Sequence, residues 1–350
     1  MVGYESSSIQ HKSVGPLVQA LFHMKPIHKA VARFYKIYSK LPRDPTDGSI
    51  VAKYKTRAKF MNELSWQFNR MEKQKMPVNL VHLCEILGSS INTALCMDIG
   101  RHLGVLIEIF STFLPRLSAA FTGDQVVVTT EDVGFRKPGV LSRKKGPARK
   151  AKQVKFTYID LDAEEHRNVD QALCKYTSER SSYMVNSDLF PTQPYVKAIT
   201  KVHFFQLPLI MVLNVQRFPD RGYPDIGGWK TKTFEFKETI DMEQYLGCYI
   251  GDRSAKTLYS LYAIFLCRGR CPHQVYSCIL QIGRDNWLYF EDELVFPMSR
   301  SQVFDEYNVE QLQSFEPEAQ RQRDIWAAKR FSSVCMLMYV RNDLFEKSFS

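Results

Sequence analysis

The chain has 350 residues, 45% of them hydrophobic and 13% aromatic, and carries a formal net charge of +10. This length and composition predict a folded protein with a large core and exclude a wholly disordered chain. The polar start MVGYESSSIQHK lacks the apolar centre of a signal peptide, and no apolar run approaches the ~20 residues of a membrane helix, so we expect no membrane association.

The first part of the chain, residues 1–122, is predicted to form a helical lobe. Its clearest helix covers about 97–114, where apolar residues recur with a helical period. These residues are Ile99, Leu103, Leu106, Ile107, Phe110 and Leu114. Asp98 precedes them, and a carboxylate at that place stabilises the exposed amides of a helix start.

Residues 134–156 form a basic segment that also contains prolines and glycines, which predicts a flexible, solvated insertion. Its nine basic residues, with no acidic residue between them, are Arg136, Lys137, Arg143, Lys144, Lys145, Arg149, Lys150, Lys152 and Lys155. Such a segment suits a nuclear-import signal or the binding of nucleic-acid phosphates. A charged loop that only keeps the chain soluble is the alternative, because aromatic residues for base stacking are missing.

The last part, residues 157–342, is predicted to form a β-rich lobe. Short runs of β-type composition follow one another with few helices between them, among them LPLIMVLNVQRF, TLYSLYAIFLC, QVYSCILQI and WLYFED. This succession favours an antiparallel sheet. We therefore expect an α+β protein in which residues 1–350 form one domain with two lobes.

The eight cysteines of the chain lie scattered, and no two of them form a C-x-x-C pair. Free thiols in the cytoplasm, the nucleus or both are expected, because a chain of this length does not depend on disulfides. Cys267, Cys271 and His273 are three possible metal ligands, but their spacing is irregular and a fourth is not evident. We expect no metal and no cofactor.

Several segments, taken in order between residues 12 and 341, resemble the catalytic domain of ubiquitin-specific proteases, the papain-like ubiquitin carboxyl-terminal hydrolases. LVQALFHMKPI at 17–27 resembles the first thumb helix, DIGRHLGVLIEIF at 98–110 a D-A-x-E-F-x-x-x-L-L-D-x-L helix, and LPLIMVLNVQRF at 207–218 an L-P-x-x-L-x-x-x-L-x-R-F strand. HQVYSCI at 273–279 resembles the S-G-H-Y-x-A-Y strand that carries the general base. The resemblance implies a papain-like fold, with a helical thumb lobe followed by antiparallel β-rich fingers and palm.

The resemblance also implies where the nucleophile would lie. If Gln19 matches the glutamine of the family pattern C-Y-M-N-S-x-x-Q, the nucleophile position is Lys12 and the oxyanion-hole position is Ser7. No cysteine occurs before Cys84, so a shift of the register by one or two residues does not supply a thiol. A protonated lysine has no free electron pair with which to attack a carbonyl carbon.

The other two catalytic positions follow from the same comparison. If Tyr276 matches the tyrosine of the base strand, the base position is Val275, which can neither accept nor donate a proton. His273 lies two residues earlier, displaced along the strand by about 7 Å. The third catalytic position is Glu291, next to Asp292. The family fingers often bind zinc through C-x-x-C pairs, and this chain has none, so we expect fingers without zinc.

The sequence is compatible with three functions. The first is a pseudoprotease that binds ubiquitin, a ubiquitin-like protein or another protein on the former substrate surface. The second is an active or atypical ubiquitin thiolesterase or isopeptidase. The third is a nuclear, nucleic-acid-associated protein that acts through the basic segment. Because two of the three catalytic positions lack the required chemistry, we expect the chain not to be an enzyme.

Overall fold

The computed structural model describes the chain in separate stretches. They are residues 4–5, 13–38, 48–73, 77–90, 99–132, 148–184, 196–216, 234–246, 256–268, 275–304 and 334–349. Within these stretches helices predominate up to residue 121, and strands predominate from residue 123 onward. None of the described helices is both long and apolar enough to cross a membrane.

The described residues contain ten helices, six of them before the first long strand. Their bounds are α1 (Val14–His23), α2 (Lys25–Tyr38), α3 (Gly48–Lys73), α4 (Val81–Ser90), α5 (Ile99–Phe113), α6 (Pro115–Phe121), α7 (Val169–Thr177), α8 (Glu243–Leu246), α9 (Arg300–Phe304) and α10 (Asn342–Phe349). Helix α5 is the one predicted over 97–114, and its buried face carries five of the six apolar residues that indicated a helical period. The sixth, Leu114, is the N-cap of α6.

Fourteen strands are described over the same stretches. They are β1 (Tyr4–Glu5), β2 (Val78–Asn79), β3 (Gly123–Asp132), β4 (Ala148–Phe156), β5 (Ile159–Asp162), β6 (Arg180–Met184), β7 (Val196–Gln206), β8 (Ile210–Gln216), β9 (Thr239–Asp241), β10 (Leu258–Arg268), β11 (Val275–Gly283), β12 (Asn286–Glu291), β13 (Leu294–Met298) and β14 (Val334–Arg341).

These strands form three sheets. The largest has eight strands, in the order β13-β12-β11-β10-β14-β8-β5, with β9 also paired to β10. A four-stranded antiparallel sheet has the order β4-β3-β7-β6, and β1 pairs with β2. The predicted antiparallel arrangement is wrong at one edge, because β5 lies parallel to β8. Parallel neighbours need a crossover connection, and here α7, β6 and β7 lie between the two strands in the chain.

The eight-stranded sheet is buried on both faces, which explains why its central strands are apolar almost throughout rather than alternating. On β10, Tyr262 and Phe265 pack against helices α1 to α5, whereas Leu261 and Ile264 face a second cluster that includes residues of α7, α8 and α9. The sheet therefore lies between two apolar layers and holds α1 in a defined position on one of them.

Part of the segment that we expected to be a flexible insertion is an ordered strand. Residues 148–156 form β4, which pairs with β3 along its length, so the expectation is wrong for these nine residues. The ladder satisfies the backbone, and an edge strand leaves Arg149, Lys150 and Lys152 exposed to water. The other five basic residues of the predicted site, from Arg136 to Lys145, lie outside the described residues.

Two glycines on α5 provide a matched test of how closely this helix packs on the large sheet. A Cβ atom at Gly100 would lie 2.7 Å from the buried Asn214 side chain, which donates to Asp160 at 2.7 Å. We expect Gly100→Ala to lower the free energy of unfolding by about 1–3 kcal/mol, because Asn214 must move. At Gly104 the nearest atom is 3.5 Å away, so Gly104→Ala should be neutral or stabilising by up to about 1 kcal/mol. Urea unfolding of both variants measures the difference, and equal effects would contradict it.

Candidate active site

Helix α1 is fixed across strands β10 and β11 by contacts that involve its own backbone. The Tyr262 hydroxyl, fully buried on β10, donates to the Ala20 carbonyl oxygen at 2.7 Å. The Cys278 thiol on β11 lies 3.7 Å from the Pro16 carbonyl oxygen. The first turn of α1 therefore lies over β11, the strand that begins at Val275.

The predicted nucleophile and oxyanion positions, Lys12 and Ser7, lie outside the described residues, as does His273. Ser13, the residue after Lys12, is the first described residue of the stretch 13–38 and the N-cap of α1. The Ser13 side chain does not cap the helix; its Oγ lies 2.8 Å from Nδ1 of His102 on α5. The sequence analysis did not identify this pair, whose members are 89 residues apart in the chain.

A serine hydroxyl beside an imidazole is also the arrangement that activates a nucleophile. Here, however, Ser13 is only 2% exposed and His102 only 1% exposed. A substrate carbonyl must reach the nucleophilic oxygen, and this oxygen lies under the surface. In this geometry the pair connects the start of α1 to α5 and has no access to substrate.

The predicted base position, Val275, lies on the face of the large sheet that is turned away from α1. Val275 is the first residue of β11 and lies opposite Arg268, the last residue of β10. Because Tyr276 and Cys278 belong to the cluster around α1, alternation along the strand places Val275 on the other face of the sheet. By the same alternation from Tyr289, Glu291 at the end of β12 lies on that face too.

The third position, Glu291, is engaged by a cation. Its carboxylate accepts from the Arg268 guanidinium and from the Tyr289 hydroxyl, and Arg268 Nη2 also lies 3.2 Å from that hydroxyl. Burial, followed by the bond to Glu291, raises the pKa of Tyr289 well above its ordinary value. The carboxylate that would orient an imidazole in a catalytic triad is therefore held by an arginine from the other side of β11. Asp292 follows in a turn with a φ of 49°.

The thiols that the structure describes do not supply a nucleophile near these positions. Cys84, Cys267, Cys278 and Cys335 are buried, whereas Cys174 on α7 is exposed. Burial raises the pKa of Cys84 to about 12, and it raises the pKa of Cys278 well above the ordinary value. A buried thiol that stays protonated is a poor nucleophile and a poor metal ligand. Among the described residues, no group of three or more His, Cys, Asp and Glu side chains could hold a metal ion.

These burial differences predict a labelling pattern. With iodoacetamide at neutral pH, we expect Cys174 to be alkylated in the folded protein, while Cys84, Cys267, Cys278 and Cys335 stay unmodified because they are buried. Peptide mass spectrometry before and after unfolding in urea measures the modification at each cysteine. Alkylation of Cys278 as fast as Cys174 in the folded state would contradict this packing of α1 on β11.

Arg268 is the residue of this site that the sequence analysis missed. A single arginine at the end of an apolar strand carries no local signal for a role. Its importance arises because the guanidinium reaches across β11 to a carboxylate 23 residues later in the chain.

Comparison with known proteins agrees with this arrangement of helices and sheets. A search of curated proteins found no match. A family model described as ubiquitin carboxyl-terminal hydrolase matches residues 16–339, which is nearly the whole chain and includes most of α1 and all of β11 and β12. The α+β architecture fits the papain-like fold of ubiquitin-specific proteases. The chain therefore belongs to the ubiquitin carboxyl-terminal hydrolase family and is a deubiquitinase-like protein.

Proposed function

We propose that this family member binds ubiquitin, or a related protein, on the former substrate surface without hydrolysing it. The observation that carries the proposal is the state of the base strand, where Val275 lies opposite Arg268 and Arg268 holds Glu291. An imidazole activates the thiol in a cysteine protease, and a carboxylate orients that imidazole. Here the predicted imidazole position is a valine, and β11 carries no histidine on either of its faces.

The ion pair between Arg268 and Glu291 also supports binding without hydrolysis. The side chains of Arg268 and Glu291 are 46% and 23% exposed, so their ion pair lies at the surface. Such a pair contributes at most about 1 kcal/mol to stability. It nevertheless satisfies the carboxylate with a permanent cation, which leaves Glu291 without the role of orienting a neutral base.

The scaffold that would carry a bound protein is retained. The large sheet is buried on both faces, and α1 is fixed to it through Tyr262 and Cys278. A folded surface is sufficient for binding, whereas hydrolysis also needs a nucleophile and a base in reach of one another. We therefore propose that this chain keeps the binding of ubiquitin or a related protein and lacks the hydrolysis that active family members also perform.

The test measures both properties on one sample. Isotopically labelled ubiquitin is titrated with the protein at up to about 1 mM, and hydrolysis of a fluorogenic ubiquitin C-terminal amide is followed in parallel. We expect chemical-shift changes at the hydrophobic patch and C-terminal tail of ubiquitin, with no turnover above a buffer control. Absence of shifts would overturn ubiquitin binding.

Turnover needs its own controls, because a trace of an active protease would mimic it. Activity that is lost in Glu291→Gln or Ser13→Ala, two variants of this chain, would identify an atypical hydrolase and overturn the proposal. Activity that persists unchanged in both variants would come from contamination. Arg268→Gln serves as the matched variant that frees Glu291, and we expect it to remain inactive because no imidazole occupies position 275.

A second candidate function rests on strand β4. Its cations Arg149, Lys150, Lys152 and Lys155 lie on an open edge of the four-stranded sheet, with no acidic residue on the strand. We propose that this edge contacts the phosphates of a nucleic acid. The expected affinity falls steeply with salt, and replacing all four cations by glutamine should reduce both the affinity and the salt dependence. Unchanged binding in that variant would exclude β4 as the cause.

Two further proposals accompany these functions. We propose that residues 1–350 act as one domain with lobes at 1–122 and 157–342, and that the protein works in the cytoplasm, the nucleus or both. Fluorescence microscopy of the tagged chain, with and without replacement of the basic residues of 134–156, tests the location. Exclusion from the nucleus in both forms would contradict a nuclear role.

A further inference from the structure

Strand β13 forms one end of the eight-stranded sheet, and among the described strands it pairs only with β12. An end strand presents backbone groups that no neighbouring strand satisfies. Leu294 and Phe296 on this strand are 62% and 41% exposed. The other large exposed apolar residues of the described chain lie on three separate elements and are Trp66, Phe205 and Leu258. Exposed apolar side chains are therefore concentrated on β13.

The hairpin that joins β12 to β13 fixes which backbone groups of β13 point away from the sheet. β12 ends at Glu291 and β13 begins at Leu294, and the turn between them has Asp292 at a φ of 49°. In a two-residue hairpin the flanking residues are hydrogen bonded to each other, and bonded and non-bonded pairs then alternate along the ladder. Phe290 and Val295 therefore form a non-bonded pair, so the N–H and C=O of Val295 point outward.

The position of Pro297 agrees with this assignment. Pro297 lies opposite Leu288, again in a non-bonded pair, and a proline is tolerated in a ladder only where its missing N–H would point to solvent. The outer edge of β13 thus offers the N–H and C=O of Val295 and the C=O of Pro297. An incoming strand can exchange hydrogen bonds with Val295 and donate one more to Pro297. Because Pro297 has no donor, the length of strand that can pair at this edge is limited.

The exposed apolar side chains lie on one face of this edge. Phe296 is paired with Tyr289 and stacks on its ring, with 4.7 Å between the centroids, and Leu294 is paired with Glu291. Because Tyr289 belongs to the cluster on the face turned away from α1, Leu294 and Phe296 lie on that face too. A strand added to β13 places every second side chain beside them, where apolar side chains would cover both.

An unpaired carboxylate lies next to this edge. Glu293 is exposed and takes part in no ion pair among the described residues, whereas Glu291 is held by Arg268. A cation on the incoming strand would compensate Glu293. A second copy of the chain does not supply one, because symmetric pairing about Val295 places Glu293 of one copy opposite Pro297 of the other. The net charge of +10 also makes two copies repel each other.

We propose that β13 binds an extended segment of a partner protein by strand addition, and that this segment carries two apolar residues, separated by one residue, and then a basic residue. In an antiparallel arrangement the residue between the two apolar ones exchanges hydrogen bonds with Val295. The apolar residues then pack against Phe296 and Leu294, and the basic residue lies beside Glu293. The inference does not depend on ubiquitin binding, since it rests on β12 and β13 alone.

The test uses a fluorescein-labelled peptide, Gly-Thr-Val-Thr-Val-Lys-amide, whose second threonine would lie opposite Val295. The full chain is titrated into it up to about 1 mM, and binding is followed by fluorescence anisotropy. We expect saturable binding. We also expect the Val295 amide to exchange its hydrogen more slowly in the presence of the unlabelled peptide, because that amide becomes hydrogen bonded.

Modified peptides separate backbone pairing from general apolar contact. N-methylation of the second threonine removes the N–H that donates to the Val295 carbonyl oxygen, and it should weaken binding by roughly tenfold. N-methylation of the second valine, whose N–H points away from β13, is the matched control and should be tolerated. Replacing the lysine with glutamate should weaken binding by roughly threefold to tenfold, because Glu293 then lies beside a like charge.

Variants of the chain locate the binding on β13. Leu294→Thr keeps a β-branched residue but removes exposed apolar surface, and it should weaken binding by roughly threefold to tenfold. Leu258→Thr, at a leucine that is 44% exposed on β10, is the matched control and should leave binding unchanged. Val295→Pro removes the outward donor and should abolish binding. If Val295→Pro does not fold, Leu294→Thr and the two N-methylated peptides still decide the matter.

The outcomes that would overturn the proposal are distinct. No binding up to about 1 mM, or equal weakening by the two N-methyl groups, would overturn strand addition. Equal binding of the lysine and glutamate peptides would overturn the assignment to a basic segment. Sedimentation velocity that shows a dimer of the wild type and a monomer of Leu294→Thr would assign the edge to a second copy and overturn the proposed partner.

Discussion

Replacing Trp287 with alanine should lower the free energy of unfolding by about 3–5 kcal/mol, the largest single effect that we expect in this chain. Trp287 is fully buried on β12, where its ring meets Phe304 of α9 edge to face at 5.4 Å. Removing the indole leaves a cavity between the sheet and α9 that the fixed strands cannot close. Urea unfolding followed by circular dichroism measures the loss.

Two variants make this prediction specific. Trp66→Ala removes the same side chain from a position that is 44% exposed, so it should change the stability by less than about 0.5 kcal/mol. Trp287→Phe keeps most of the apolar contact and removes an indole N–H that has no acceptor among the described residues, so it should cost clearly less than alanine. Similar losses for Trp66→Ala and Trp287→Ala would show that the contacts of Trp287 are not those described.

The second large effect is a loss of stability in acid that depends on His23. Its ring packs against Phe22 and Phe290, and its Nε2 atom is shielded from water without a hydrogen-bond partner among the described residues. Burial, aided by nearby positive charge, lowers the pKa of His23 to about 4. In the unfolded chain the imidazole titrates near its ordinary value of about 6.5.

The direction in which stability changes with pH follows from proton binding at His23 in the folded and unfolded chains. Between about pH 6.5 and pH 4 the unfolded chain binds a proton at His23 and the folded chain does not, so stability falls as the pH falls. Below about pH 4 both states are protonated and this loss is complete, at up to about 3 kcal/mol. Above pH 6.5 His23 contributes no pH dependence, because both states are neutral.

Urea unfolding at a series of pH values between 4 and 8 measures this slope. His23→Phe should reduce it, because phenylalanine packs against the same rings and does not titrate. A smaller slope should remain, because burial also lowers the pKa of His28 and of His203. His82→Asn, at an exposed histidine on α4, is the matched control and should leave the slope as it is. An identical slope in the wild type and in His23→Phe would contradict the assignment to His23.

Much of the fold could be predicted from local pattern, because helices and buried strands leave a period or an apolar run in a few neighbouring residues. Helix α5 and strands β8 and β10 are such elements, and the structure has them where the sequence predicts them. Strand β4 was missed because its lysines and arginines suit a solvated loop equally well. Pairing with β3, which the local composition does not encode, makes it a strand.

The candidate site, like the fold, could be predicted from the sequence only in part. The family resemblance predicts Val275 and Glu291 as catalytic positions, and residue identity alone shows that no cysteine precedes Cys84. It could not predict that Arg268 holds Glu291, because that contact depends on the register of three strands. Nor could it relate Ser13 to His102, which the packing of α1 against α5 brings together.

By itself, the sequence determined the family, the order of helical and β-rich parts, and the absence of a cysteine before Cys84. These properties depend only on residue identity and short-range periodicity. Only the tertiary structure decided which donors and acceptors meet. The hydrogen bond between Ser13 and His102 and the ion pair at Glu291 both arise from contacts that the packing of separate elements imposes.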